Sequence, residues 1–389
     1  MKNAYLLFVF AVLFLSCQKS ELPSDAYEHI RATFGGRIDP ERLANYSSPP
    51  IPPYITKSNG LFNPITDAGA TLGRVLFYDK NLSSNRTVSC ASCHQQANAF
   101  SDLAVVSQGV NGLTARHSMR LVNARFSNET RFFWDERAPS LETQTTLPIR
   151  DHGEMGFSGT HGDPPFSALL ARLSEIGYYR ELFRLAFGSE EITEARMQLA
   201  LAQFIRSIQS FDAKYDIGRA QVMADNVPFP NFSPLENQGK QLFLAPPQFN
   251  ANGVRTGGGL GCGGCHRAPE FDIDPNSRNN GVTQASSGGR DFTVTRSPSL
   301  RDLLKPDGTL NGPLMHSSTF TSLQAVIEHY NDLTQGAQNN PNLDPRLRPN
   351  GFPARLNMTP QEMNALTAFL RTLSGTNVYT DSKWSDPFQ

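Results

Sequence analysis

A mainly α-helical fold is predicted by three features of the sequence. Apolar residues recur at helical spacing in several segments, no segment alternates strongly enough to be read as a sheet, and the pattern C-x-x-C-H occurs twice. The two copies are Cys90-Ala91-Ser92-Cys93-His94 and Cys262-Gly263-Gly264-Cys265-His266. This is the attachment signature of c-type haem: two thiols add across the porphyrin vinyls and the following His ligates iron. Two intervening residues let one helical turn present both sulfurs to one edge of the macrocycle. A thioredoxin-like dithiol or a zinc site also uses C-x-x-C, but neither needs His directly after each pair. The chain therefore reads as di-haem, with haem filling each small core in place of side chains.

The elements follow in order. Lys2 and the apolar run Ala4 to Leu15 form an export signal too short to span a bilayer comfortably. Its end, Phe14-Leu15-Ser16-Cys17, resembles a bacterial lipobox, loosely because Phe14 stands where Leu is usual. Lipidation at Cys17 is the expectation, an ordinary cleaved signal the alternative. Residues 18–60, with Ser48-Pro49-Pro50-Ile51-Pro52-Pro53, read as an extended tether. Ala70, Leu72, Val75 and Leu76 predict a helix over Asp67–Tyr78, leading to the first haem motif. Phe166–Phe187 and Ile192–Ile208 are the strongest helical patterns; in the second, Ile192, Ala195, Leu199, Ala202 and Ile205 share one face as core.

A linker is expected from Asp225 through Pro228-Phe229-Pro230, then a short helix over Leu235–Phe243. Gly257-Gly258-Gly259 reads as a loop that lets backbone pass close to a porphyrin; no Lys-Ser/Thr follows to suggest a P-loop. Thr321 with Gln324 opens a helix over Leu323–Tyr330, and Thr359, Pro360 and Glu362 open another over Met363–Leu373. Brief Thr/Val patches such as Phe292-Thr293-Val294-Thr295 are the nearest approach to strand. The expected divisions are 1–17 signal, 18–60 tether, 61–220 first haem domain, 221–376 second haem domain and 377–389 tail.

Composition narrows the function. The 389 residues are 39% hydrophobic and 18% charged, with a net charge of −1, which gives no support for nucleic-acid binding. Of five cysteines, Cys17 lies at the export signal and four carry haem, so none remains for a disulfide. Covalent haem attachment takes place outside the cytoplasm. Export signal and haem motifs therefore agree on the periplasm or outer cell surface.

Longer motifs resemble a known family. Leu72-Gly73-Arg74-Val75-Leu76-Phe77-Tyr78-Asp79, the first haem motif, Phe133-Trp134-Asp135-Glu136-Arg137-Ala138 and Leu141 to Met155 resemble bacterial di-haem cytochrome c peroxidases. Arg296-Ser297-Pro298-Ser299-Leu300-Arg301 and Pro313-Leu314-Met315-His316 continue the resemblance, over roughly residues 65–375 in the same order. The family includes the MauG-type enzymes that oxidise a protein substrate in methylamine dehydrogenase maturation. The resemblance implies two cytochrome-c-like haem domains packed face to face. The N-terminal haem is then peroxidatic, and the C-terminal haem stores and relays an electron. The family's inter-haem Trp maps to Trp134, and its distal Gln and Glu, ten and twenty residues later, map to Gln144 and Glu154. Breaking the peroxide O–O bond needs a proton carried between its oxygens, and a buried carboxyl group such as Glu154 suits that task.

The departures are as informative. Many relatives carry a His sixteen residues after the first haem His, which blocks the iron until the other haem is reduced; here that position is Val110. The first haem is therefore expected to have an open or water-occupied distal site and to turn over without prior reduction. His117, the nearest substitute, fills the place of a family Asn that helps bind a bridging calcium, so the expectation of calcium is weakened. At the second haem the family's distal Met falls fourteen residues after His316, on Tyr330, as in MauG-type enzymes. Met315 competes as ligand, and a water-bound or empty position is a further alternative. Phenolate stabilises ferric and higher states, thioether ferrous iron.

The leading reading is a cytochrome c peroxidase that reduces hydrogen peroxide to water, with electrons from a small exported donor such as a cytochrome c or copper protein. In it His94 and His266 hold the two irons; Cys90, Cys93, Cys262 and Cys265 attach the porphyrins. The alternatives are MauG-type oxidation of a protein or small organic substrate, and a di-haem electron carrier. Relatives often pair, so a homodimer is also an expectation.

Overall fold

The computed structural model describes residues 26–389; the export signal and Cys17 lie outside the described residues. Two helix pairs, built alike, organise the chain. In the first, α2 (Asp67–Tyr78) crosses α7 (Glu194–Ser207). Thr66 caps α2 by accepting the Gly69 N–H, and Thr193 caps α7 by accepting that of Arg196. At the crossing the backbones nearly touch: a Cβ on Gly73 would lie 2.0 Å from the Ala200 carbonyl oxygen and 2.8 Å from Phe204 Cβ. Only glycine permits that approach.

The second pair, α9 (Pro234–Leu244) and α11 (Pro360–Arg371), repeats the device. A Cβ on Gly239 would lie 1.9 Å from the Ala365 carbonyl oxygen and 2.9 Å from Phe369 Cβ. The sequences match as well: Ala200-Leu201-Ala202-Gln203-Phe204-Ile205-Arg206-Ser207 parallels Ala365-Leu366-Thr367-Ala368-Phe369-Leu370-Arg371-Thr372. Both helices of the second pair open on full capping boxes, Ser233/Glu236 and Thr359/Glu362, each with Pro at N1.

Each pair anchors one buried cluster. One holds Val75, Leu76, Phe77, Leu201 and Phe204; the other holds Phe243, Phe271, Leu366 and Phe369. Tyr215, expected in the first unit, packs into the second cluster on α8 (Lys214–Arg219).

Both ends of the described chain depart from the sequence reading. Residues 26–60 are not an extended tether. Helix α1 (Glu28–Phe34) buries Ile30 and Phe34 completely, and Tyr46 is 1% exposed. The Glu181 carboxylate accepts the first N–H groups of α1, from His29 at 3.1 Å and Ile30 at 2.9 Å, and so replaces a local cap. Residues 377–389 are not a free tail either. Trp384 is 2% exposed in the first cluster, its Nε1 donates to Ser207 Oγ at 3.2 Å, and Tyr78 Oη donates to its carbonyl at 2.6 Å. The C-terminus thus returns to close the N-terminal core.

The Phe166–Phe187 segment is two helices, α5 (Phe166–Ser174) and α6 (Gly177–Phe187), and the His29 ring sits where a side chain at Gly177 would project. Helix α10 (Leu323–Asn331) is capped by Ser322, one residue later than expected. Among the described residues, strand is confined to two short antiparallel pairs, β1 (Pro247–Phe249) with β2 (Arg255–Gly258) and β3 (His266–Arg267) with β4 (Asp272–Ile273). The 292–295 patch forms no strand; the Thr295 and Arg296 N–H groups donate instead to the Trp134 carbonyl, each at 3.0 Å. A buried salt bridge ties α8 into the second unit: Arg301, wholly buried, donates to Asp216 at 2.7 Å, and Asp216 also accepts Tyr54 Oη from the N-terminal segment at 3.0 Å.

Candidate active site

The first C-x-x-C-H forms a single helical turn, α3 (Cys90–Cys93), and lies in the wall of a cavity of about 440 Å³. Ser89 caps the turn through a reciprocal bond with Ser92, which leaves Cys90, Cys93 and His94 facing the cavity. His94 Nδ1 lies 3.2 Å from the Phe100 carbonyl, so Nδ1–H donates there, with the Met119 backbone as a weaker second contact of the ring. Burial pulls His94 down to about 4, which keeps the imidazole neutral as a ligand must be. Burial likewise pushes Cys90 up to about 12 and Cys93 up to about 11, so both are thiols.

The second motif takes a tighter 3₁₀ turn over Cys262–Gly264 and lines a cavity of about 620 Å³. His266 opens β3; among the described residues its buried Nδ1 has no hydrogen-bond partner, and burial pulls the imidazole down to about 4. The preceding glycines serve the chain's own backbone: a Cβ on Gly259 would lie 2.1 Å from the Ala245 carbonyl oxygen, and one on Gly258 2.5 Å from that of Pro246. Their expected role beside a porphyrin is therefore not needed to explain them.

Each cavity thus offers two free thiols and a neutral imidazole within a largely apolar wall that includes Phe77, Val122, Leu141 and Leu201 in the first and Phe243, Leu260, Ile327 and Leu366 in the second. Both volumes fall in the range of cofactor pockets. The donor set fits a thioether-linked haem in each. Among the described residues, no three His, Cys, Asp or Glu side chains converge as a metal site.

Glu154 and Gln144 both line the first cavity. Gln144 stands on α4 (Leu141–Arg150), capped by Ser140, and Pro148 four residues later removes the helical N–H that the Gln144 carbonyl would accept. Glu154 follows in a turn held by Asp151, whose Oδ1 accepts the N–H groups of Gly153 at 2.8 Å and Glu154 at 3.0 Å. Among the described residues its carboxylate has no hydrogen-bond or ion-pair partner. Burial first, then the Asp151 charge, push it up to about 7 against the pull of Arg137.

Val110 lies outside the first cavity, although Gly109 lines it. The Val110 N–H donates to the Glu154 carbonyl at 2.9 Å and that of Asn111 to Gly153 at 3.1 Å; a Cβ on Gly109 would lie 2.1 Å from the Gly153 oxygen. The segment that could have carried a blocking His instead clasps the backbone of Glu154. His117 spends both ring nitrogens inside the chain, Nδ1 at 3.0 Å from the Ala104 carbonyl and Nε2 at 3.3 Å from Ser101 Oγ, and so is structural.

Trp134 lines both cavities, together with His117, Arg120 and Arg296. Its Nε1 donates to the His117 carbonyl at 2.8 Å, and its ring meets that of His316 edge-on, centroids 6.1 Å apart. Among the described residues the buried His316 Nε2 has no hydrogen-bond partner. In the second cavity Tyr330, on α10, and Met315 face a common neighbour, Asn280. Sequence reasoning used His316 only as a counting anchor and passed over Asn280 and Arg120. The Asn279-Asn280-Gly281 turn was the one signal that could have drawn attention to Asn280.

Comparison with known proteins agrees with this geometry. Residues 67–221 match the family model of the di-haem cytochrome c peroxidases. The methylamine utilization protein MauG of Methylorubrum extorquens is 31% identical over 326 residues, 80% of this chain and 79% of its own. The cytochrome c551 peroxidase of Nitrosomonas europaea is 25% identical over 326 residues, 79% and 80% of the two chains. A crystal structure of a MauG-like protein associated with microbial copper homeostasis superposes with a TM-score of 0.65 at 26% identity, covering 87% of this chain and 99% of that one.

Proposed function

The chain belongs to the di-haem cytochrome c peroxidase family and carries two covalently bound haem c groups, and from that premise we propose that it reduces hydrogen peroxide to two waters with two protons from solvent and two electrons from a small exported donor, a cytochrome c or copper protein. The observation that carries the reading is Glu154. An unpartnered carboxylate poised near neutrality shares a cavity with Cys90, Cys93 and His94.

When bound, haem supplies the electrons and the Lewis acidity that break the O–O bond. The chain does the rest. His94 would hold the group through its imidazole. Glu154 takes the proton from one peroxide oxygen and returns it to the other, so that the second leaves as water. Gln144 orients peroxide with an amide free of other bonds. Trp134 relays electrons between two cytochrome-c-like domains packed face to face, the second held by Cys262, Cys265 and His266. Arg137, Asp135 and Arg116 form an ion-pair chain, with Asp135 bonded to both arginines at 2.8 and 2.7 Å, that fixes the loop bearing Trp134.

With Val110 in place of a blocking His, the oxidised enzyme is competent as isolated. Steady-state assay with peroxide and reduced cytochrome c or a copper protein is expected to give turnover without prior reduction, and the oxidised protein to bind cyanide at one haem. Two six-coordinate low-spin ferric haems that ignore cyanide would reduce it to an electron carrier. Trp134→Phe is expected to slow donor-driven turnover by about an order of magnitude while both haems stay bound. Equal turnover in that variant would remove Trp134 from the relay.

A MauG-type oxidation of a protein or organic substrate is the second reading, favoured by Tyr330 in the second cavity. Slow donor oxidation with radical formation on an added substrate would select it. Export fits both readings: haem attachment and the N-terminal signal put the protein in the periplasm or on the outer surface, lipid-anchored through Cys17. No described helix is long and apolar enough to cross a membrane.

A further inference from the structure

We infer that Asn280 is a positioning residue of the second haem site, whose side-chain amide selects Tyr330 over Met315 as the group offered to the iron. The inference rests on the reading that these two residues compete for that place. Asn280 Nδ2 lies 3.1 Å from Tyr330 Oη and 3.4 Å from Met315 Sδ, and all three residues line the cavity of Cys262, Cys265 and His266. One amide group thus serves both contenders.

The amide cannot turn away. The Val282 N–H donates to Asn280 Oδ1 at 3.0 Å, which fixes the oxygen outward and the NH₂ toward Tyr330 and Met315. The Asn280 carbonyl is held at 3.0 Å by Nε2 of His329, the residue next to Tyr330, so the turn and α10 move as one. On either side, Gly281 has φ +86, a conformation that side chains rarely adopt, and the wholly buried Asn279 accepts the Gly281 N–H at 2.9 Å and Asn340 Nδ2 at 2.8 Å. Met315 itself has φ +68 on an irregular loop.

The two acceptors respond differently to such a donor. A phenolate oxygen keeps a lone pair after binding a metal, and an N–H bond to an anion is roughly twice as strong as one between neutral groups. A thioether sulfur is a weak acceptor in any state. A fixed N–H donor therefore favours oxygen over sulfur. The consequence is a second haem tuned toward its ferric and higher states.

The test is the ferric holoprotein, read by electron paramagnetic resonance and near-infrared magnetic circular dichroism, which separate phenolate from thioether ligation. Asn280→Leu removes the donor at similar volume, and Asn280→Asp keeps the shape but turns an acceptor toward the oxygen. In both, the ratio of phenolate- to thioether-ligated second haem is expected to fall by about tenfold or more, the effect of one hydrogen bond to a charged group. The first haem's signals stay unchanged. If the leucine variant fails to retain haem, the isosteric aspartate variant decides. Parent-like second-haem spectra in the Asn280 variants, together with an altered spectrum in Tyr330→Phe, would overturn this inference and leave the ligand reading intact. A Tyr330→Phe variant with the parent spectrum would overturn both.

Discussion

Glu154→Gln is expected to lower peroxide turnover by about 10²- to 10⁴-fold, the range for loss of a positioned proton carrier. The glutamine fills the same space against Asp151 and keeps the backbone clasp to Val110 and Asn111, because those bonds use main-chain carbonyls only. Haem content and both resting spectra should therefore match the parent. The pH profile makes the prediction sharper. Glu154 must be ionised to accept the first proton, and its carboxyl is pushed up to about 7. Turnover in the parent should then rise with pH through about 7, and that limb should vanish in the variant.

Stability has the opposite sign. A carboxyl group held above its ordinary value favours the folded state while protonated, and that contribution is lost as pH rises from about 4.5 through about 7. The glutamine variant carries no such loss, so at pH 8 it should unfold at no lower urea concentration than the parent. A variant that is both inactive and less stable would point to a structural role for Glu154.

Asp216→Ala is expected to destabilise the haem-loaded protein by about 3–5 kcal/mol, the cost of leaving one partner of a buried ion pair alone. Arg301 is 0% exposed and Asp216 4%. The guanidinium has a second bond, to the Pro269 carbonyl at 2.8 Å, and three rings around it, Phe211, Tyr215 and Phe271. None of these neutralises it. Asp216 also accepts Tyr54 Oη and the Ala213 N–H, so its loss frees the N-terminal segment and the start of α8 as well. Replacing both charges, Asp216→Leu with Arg301→Met, should recover much of the loss. Urea unfolding of the four proteins, followed by far-ultraviolet circular dichroism, checks the cycle; a single variant within 1 kcal/mol of the parent would show that the pair contributes little.

The haem motifs, α2, α9 and α11 were legible because their signals are local. Apolar spacing marks α2, and a capping Ser or Thr with Pro at N1 and Glu at N3 marks the starts of α9 and α11, whatever packs on them later. The elements misread were those decided at long range. Residues 26–60 looked like a tether because Pro-rich 48–53 dominates the composition, whereas Ile30, Phe34 and Tyr46 find their partners on α6, α2 and the C-terminal segment. The break between α5 and α6 was hidden because apolar spacing continues across it and only Gly177 marks it. In the candidate site, Glu154, Gln144 and Trp134 were reached through motif order, and the structure places the first two in one cavity and Trp134 in the wall of both. That Val110 leaves that cavity to hold Glu154 in place could not be read from one residue type. The parallel between Ala200–Ser207 and Ala365–Thr372 is present in the sequence, but its meaning lies in the two helix crossings, where Gly73 and Gly239 meet Ala200 and Ala365.

That parallel has a practical corollary for dissecting the enzyme. Each half depends on one glycine, Gly73 or Gly239, whose missing methyl group lets two helices meet. An alanine at either position would wedge apart a single crossing, distant in sequence from every iron ligand. The other crossing keeps its own glycine and its own close approach. A matched set of one-centre enzymes, made by single methyl insertions, would then let each redox partner be studied without its twin.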